Sequence, residues 1–304
     1  MSLHPFINAM LENSVYTPGL SAGTPEQGRA IVAEGRNALG TGPDMERISD
    51  IEIPAREGPL RARLFVPSTS PIGLIVYLHG GGWVLAAIED FDTYARALAA
   101  ESNCAVLLPD YRLAPEHPFP AGLKDAEDAL RWAATDHLGL GNLPLILAGD
   151  SAGANLAAVI ARKSDNTVQL ALQILYYPIT DCNFDTDSYR RHGDGLTLTK
   201  KDMEWFFGHY APRSGWIHPD ISPLLATDLS EGPPAVVVVA EYDVLATEGM
   251  AYANKLRDAG VHVTERRLKG LTHGFIRLHN LLEPARDELS SVARNIAAAC
   301  NSDN

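Results

Sequence analysis

Residues 144–163 read PLILAGDSAGANLAAVIARK. Residues 144–148 are a short, nearly continuous apolar run, the pattern of a strand covered on both faces. From Ala152 to Lys163 the chain turns alanine-rich, which predicts a helix. Between them stands Gly149-Asp150-Ser151-Ala152-Gly153, a Gly-x-Ser-x-Gly pattern in a strand–turn–helix setting. The glycines have a steric reason: side chains at these two positions would collide with the strand and the helix. Such a turn holds the Ser151 hydroxyl clear of the sheet. It also places the positive end of a helix where an oxyanion would form. A serine that only caps a helix is the plain alternative, and the neighbouring motifs have to separate the two.

Working outward, residues 74–78, 105–108, 172–176 and 235–239 are further short apolar runs bounded by Gly or Pro. Helical patterns at 92–101, 121–134, 247–259 and 284–300 lie between or after them. Strand–helix alternation of this kind implies an α/β fold with a mostly parallel central sheet flanked by helices. Alternating segments at 50–54 and 60–66 predict an antiparallel pair turning at Glu57-Gly58-Pro59. Two regions fall outside the alternation. Residues 1–45 carry breaks at Pro18-Gly19 and at 40–43, with helix expected around 25–38. Residues 181–225 hold Trp205-Phe206-Phe207 and Trp216 and read as an inserted lid or cap. The expected organisation is an N-terminal cap segment, 1–45, and a catalytic domain, 46–304, with 181–225 as a cap insertion.

His79-Gly80-Gly81-Gly82-Trp83 follows directly on the 74–78 strand. Successive glycines leave backbone N–H groups approachable, as an oxyanion requires; a flexible or nucleotide-binding loop is the competing reading. No Gly-x-Gly-x-x-Gly or Walker spacing is present. A serine hydroxyl needs a base, and the base needs an acid to orient it, with chain order Ser, Asp or Glu, His in this setting. Asp243, with Glu241 as rival, lies at the end of the 235–240 strand. Of His192, His209, His218, His262, His273 and His279, His273 stands in a glycine-flanked loop after the last predicted strand. His262 falls inside that strand, 261–268, and reads as structural.

The chain has 304 residues, 46% hydrophobic and 21% charged, enough for a sizeable core. Lys and Arg total 25 against 38 Asp and Glu, a net charge of −13. That sign disfavours nucleic acid and anionic membrane as partners. Cys104, Cys182 and Cys300 fit neither a disulfide framework nor a Cys-x-x-Cys metal site. With no signal-peptide pattern and no apolar run of membrane-spanning length, a cytoplasmic location is expected.

Residues 79–83, 110–121, 149–156, Tyr242-Asp243 and His273-Gly274-Phe275 together resemble, in order and spacing, the bacterial hormone-sensitive lipase-like esterases, a family of the α/β-hydrolase fold. The resemblance runs from about Leu60 to about Leu282. It implies Ser151 as nucleophile, His273 as general base then acid, and Asp243 as orienter of His273. It implies an oxyanion hole from the N–H groups of Gly81, Gly82 and Ala152. It further implies a helical cap over the pocket, and a bracing role beneath the active site for Arg112 and Glu116. The chain departs from the family at Ala86, Ala87, Phe91 and Thr247, positions that bear on pocket shape and not on the triad.

The expected activity is a serine carboxylesterase acting on short- to medium-chain, uncharged esters through an acyl-enzyme, with no metal and no organic cofactor. Trp83, Trp205 and Phe206 are the candidate substrate contacts. The same triad would also serve a lactonase, amidase or acyl transferase. A small-molecule receptor on the same fold is the non-catalytic alternative, against which the presence of His273 speaks. The edge strand at 261–268 could pair across a homodimer, while Glu265, Arg266 and Arg267 could equally protect it.

Overall fold

An antiparallel hairpin leads the chain into the sheet: β1 (Arg47–Ala55) and β2 (Gly58–Val66) pair along their whole length. Ala55 faces Gly58 and Pro54 faces Pro59, so the turn is Arg56-Glu57 and the expected turn residues Gly58 and Pro59 belong to β2. The computed structural model describes residues 2–14, 19–163 and 168–301; Pro18, half of an expected break, lies outside them.

Six further strands follow: β3 (Leu74–Leu78), β4 (Ala105–Pro109), β5 (Leu145–Asp150), β6 (Leu170–Tyr176), β7 (Ala235–Tyr242) and β8 (Val263–Thr272). The order across the eight-stranded sheet is β1-β2-β4-β3-β5-β6-β7-β8. From β4 to β8 every pairing is parallel; β2 joins β4 antiparallel. All five residues of β3 are buried. Alternate side chains serve opposite faces: Leu74, Val76 and Leu78 join one apolar cluster, Ile75 and Tyr77 the other. α4 (Ala121–Ala133), α5 (Ala152–Lys163) and α8 (Ala246–Asp258) cover the first face, and α3 (Ile88–Ser102) and α9 (Glu283–Cys300) the second. Double coverage is the reason the strands read as apolar runs without alternation. Each such buried side chain contributes roughly 1.5–3 kcal/mol, an upper estimate.

β8 runs four residues past its expected end. Ala240 is opposite Leu268 but Tyr242 is opposite Thr272, so the ladder bulges between them, with Gly270 at φ 73°. His262 stands just before the strand, exposed, its carbonyl accepting the Ala235 N–H (2.8 Å), and is not inside the strand as expected.

α1 (Pro5–Ser14) and α2 (Pro25–Glu34) precede the sheet. Thr24 and Gln27 form a capping box on α2, with Pro25 in its first turn. Between β6 and β7 lie α6 (Asp187–His192), α7 (Lys200–Tyr210) and short 3-10 turns. The N-terminal segment touches this insertion where the Ser21 N–H meets Asp202 Oδ1 (3.0 Å). Arg29 of α2 donates to Val84 O (2.8 Å) and Ala114 O (3.0 Å) and pairs with Glu116 (2.7 Å). Glu116 therefore ties down α2 and does not brace the floor beneath the active site. Arg112 pairs with Asp125 of α4 and with Glu57 in the β1–β2 turn (2.8 Å each).

Candidate active site

The turn between β5 and α5 is forced by close packing. A Cβ on Gly153 would stand 1.9 Å from Leu78 O, and one on Gly149 would stand 2.5 Å from the Gly153 carbonyl carbon. Ser151 adopts φ 55°, a left-handed conformation costly for a side chain outside such a turn. The strain holds its hydroxyl above the C-terminal edge of the sheet.

Two residues from distant parts of the chain meet it. Asp243 follows β7 directly and His273 follows β8 directly. His273 Nε2 is 2.9 Å from Ser151 Oγ, and Nδ1 is 2.8 Å from Asp243 Oδ2. The carboxylate can only accept, so Nδ1 carries the hydrogen and Nε2 is left to accept from the serine. Asp243 is 1% exposed and also accepts the Leu245 N–H (3.0 Å). The Tyr177 ring packs on the imidazole at 4.5 Å between centroids, and Thr197 Oγ1 donates to the His273 carbonyl (2.9 Å). Glu241, the rival acid, instead accepts the Gly270 N–H in the bulge (2.9 Å).

The remaining histidines sit elsewhere. His192 packs on Tyr242, His209 on Trp205, and His279 is buried beside Tyr94. His218 Nδ1 accepts the Asp220 N–H.

The glycine loop passes beside the serine turn. Among the described residues no hydrogen bond takes the N–H of Gly81 or Gly82. Ala152 opens α5, where N–H groups have no acceptor within the helix. The loop is clamped from both sides. Asp150 accepts from the Gly80 N–H (2.8 Å) and from Tyr77 Oη (2.9 Å). The His79 ring stacks on Tyr111 at 4.4 Å, and Tyr111 Oη donates to His79 O (2.6 Å). Burial pushes His79 below its ordinary value, so the ring is neutral and its Nδ1–H donates to Gly80 O (2.8 Å). Burial likewise raises the Asp150 carboxyl, against the opposing pull of its two donors. The sequence reading assigns Asp150 no role. Its place inside the Gly-x-Ser-x-Gly turn was the available signal, because that turn faces the glycine loop.

Of the three aromatic candidates, Phe206 lies flat against the loop: a Cβ on Gly82 would stand 2.1 Å from its ring. Trp205 is half-buried and meets the Phe206 ring edge-on at 5.2 Å. Trp83 and Phe206 are both buried, 1% and 3% exposed, in the same apolar cluster. The Trp83 ring stacks on Tyr210 at 4.1 Å and meets Phe207 edge-on. Among the described residues no group of three or more His, Cys, Asp or Glu is arranged to hold a metal, and no helix is long and apolar enough to cross a membrane.

The arrangement has relatives. The carboxylic ester hydrolase LipN of Mycobacterium tuberculosis is 40% identical over 246 residues, 77% of this chain and 65% of that protein, slightly under two thirds of its length. An ethyl acetate hydrolase of Pseudomonas putida is 35% identical over 96% of this chain and 98% of its own. The solved structure of a hyperthermophilic esterase from the archaeon Pyrobaculum calidifontis superposes with a TM-score of 0.92 at 36% identity, covering 98% of this chain and 99% of that one. The family description "alpha/beta hydrolase fold" matches residues 75–277. With that match spanning most of the sheet and all three residues of the relay, the chain belongs to the α/β-hydrolase family, in its hormone-sensitive lipase-like esterase branch.

Proposed function

We propose that the chain hydrolyses carboxylic esters through an acyl-enzyme, with Ser151 as nucleophile, His273 as base and acid, and Asp243 as orienter. The observation that carries this reading is the unbroken relay from Ser151 Oγ through His273 to Asp243, at 2.9 and 2.8 Å. In acylation, Ser151 Oγ attacks the carbonyl carbon and its proton passes to His273 Nε2. Asp243 keeps the imidazole in the correct tautomer and faces the imidazolium that forms. The carbonyl oxygen takes the negative charge beside the N–H groups of Gly81, Gly82 and Ala152, each such donor worth roughly 10²–10³ in rate. Collapse expels the alcohol, protonated from Nε2. Water then repeats the sequence on the acyl-enzyme and restores the serine.

Supporting the substrate class are the apolar Phe206 ring against Gly82 and the net charge of −13, which repels anionic substrates. A short- to medium-chain, uncharged ester fits both, and one relative is named for ethyl acetate. Residues 1–45 and 181–225 act as the cap: α2 reaches Val84, two residues past Gly82, through Arg29, and α7 brings Phe206 onto the loop.

The test is an organophosphate label mapped by mass spectrometry, followed by turnover of esters, lactones and amides. Labelling of Ser151 alone, with ester turnover abolished in Ser151→Ala, is the expected result. Turnover of most substrate by Ser151→Ala would overturn the mechanism, and preference for lactones or amides would overturn the substrate class.

A further inference from the structure

At the end of the sheet opposite the triad, two cysteines from distant parts of the chain meet. Cys104 immediately precedes β4, and Cys300 is the last residue of α9. Both sulfurs converge on Gly73, just before β3. A Cβ added there would lie 2.7 Å from Cys300 Sγ and 3.0 Å from Cys104 Sγ. Only glycine at 73 leaves room for the pair. Cys104 is fully buried; Cys300 is 8% exposed and lines a groove of about 1400 Å³. That groove is walled by the N-terminal ends of parallel strands, including Leu74 and Leu145. The triad lies past their C-terminal ends, so the two regions are separated by the length of the sheet.

We propose that Cys104 and Cys300 are a dithiol modification site that hydrogen peroxide converts to a disulfide, with Cys300 as the attacking sulfur and Cys104 as the resolving one. Cys300 is the member with solvent access through the groove. Cys104 stays protonated: its S–H donates to Ser102 O (3.6 Å), and the adjoining Cys300 together with burial pushes it well above the ordinary thiol range. A sulfur reachable from the groove, beside a buried and protonated partner, is the member that peroxide meets first.

The chemistry balances. The Cys300 thiolate attacks one peroxide oxygen and breaks the O–O bond, giving a sulfenic acid and hydroxide. Cys104 sulfur then attacks the sulfenic sulfur, loses its proton, and displaces the hydroxyl group as water. Two thiols are oxidised by two electrons, and one peroxide is reduced to two waters. The bond would staple the last turn of α9, which packs on the sheet through Val292 and Ile296, to the entry of β4. Closing so long a loop constrains the unfolded chain strongly. Cys182, the third thiol, lies elsewhere and serves as an internal control.

The experiment treats the full chain with hydrogen peroxide, then denatures it, alkylates it and maps it by mass spectrometry. The expected result is a cross-linked peptide joining residues 104 and 300, with Cys182 still alkylated. In Cys104→Ser, dimedone should trap a sulfenic acid on Cys300; in Cys300→Ser no such adduct should form on Cys104. The oxidised chain should melt about 5 °C higher, reversibly with dithiothreitol. Its ester turnover should be unchanged. Absence of the cross-link in folded, active protein would overturn the proposal. A dimedone adduct on Cys104 would overturn the assignment of roles, and an unshifted melting temperature would overturn the staple.

Discussion

Around Ser151 the site is held by backbone packing and by buried polar groups; under α2 and α7 it is held mainly by side chains, with backbone groups joining in at the Ser21 N–H and at Tyr210 O, which accepts the Phe119 N–H (2.8 Å). The serine turn and the glycine loop pack so closely that added methyl groups would overlap backbone atoms. Their polar clamps, Asp150, Tyr77, His79 and Tyr111, are all buried. The segments proposed as the cap are attached by Arg29 to Glu116, by Ser21 to Asp202 and by aromatic faces such as Trp83 on Tyr210. The Arg29–Glu116 pair is substantially exposed, 29% and 45% for the two side chains. Backbone packing leaves the serine turn little to adjust, whereas side-chain attachment lets the segments proposed as the cap change without disturbing the relay.

The sharpest break of this contrast is at the floor. Ser151→Ala should lose roughly six decades of kcat while its thermal melt stays within a few degrees of the parent. Steady-state turnover of an acetyl ester together with a melting curve checks both halves. A melt that collapses would mean that the hydroxyl is structural.

Asp243→Asn should cost about four decades, because an amide in place of the carboxylate favours the wrong imidazole tautomer. Single-turnover acylation kinetics would read it. A loss of tenfold or less would show that His273 does not depend on Asp243.

The cap should respond differently. Phe206→Ala should alter the ratio of kcat/KM between acetyl and hexanoyl esters by roughly tenfold, the scale of an apolar contact. The rate of labelling Ser151 with a small organophosphate should hardly move. If labelling falls as steeply as turnover, Phe206 supports the loop itself and the contrast between floor and cap fails.

The smallest effect belongs to the Arg29–Glu116 tie. Exposure limits it to below about 1 kcal/mol, and salt should weaken it further. The hydrogen bond from Arg29 holds the Glu116 carboxyl down at about 2, against an ordinary value of 4.5. A lowered acid stabilises the fold above its unfolded value and loses that contribution as pH falls. The difference in melting temperature between the parent and Glu116→Gln should therefore be full above about pH 5 and shrink toward about pH 2. A difference independent of pH would assign the effect to packing.

Much of this was legible from local rules. The apolar runs located the strands because both faces of the sheet are covered. The glycines at 149 and 153 announced a close approach, and the order of Ser151, Asp243 and His273 followed from chain direction. Elsewhere local rules stopped short. Glu241 and Asp243 stand two residues apart, on the same face of an extended chain, and only the bulge between β7 and β8 gives Glu241 another partner in Gly270. Trp83 adjoins the glycine loop in sequence, yet its φ of 60° and the Tyr210 ring send it into the core.

By itself, then, the amino-acid order determined the sheet, the serine turn and the types of group available for catalysis, because sterics and hydrophobic burial act over a few neighbouring residues. The tertiary structure alone decided which of several acids faces His273, that Glu116 holds α2, that Asp150 secures the glycine loop, and that Cys104 meets Cys300. Those contacts join residues far apart along the chain. They depend on the crossing order of the strands and the register of their pairing, which no local pattern records.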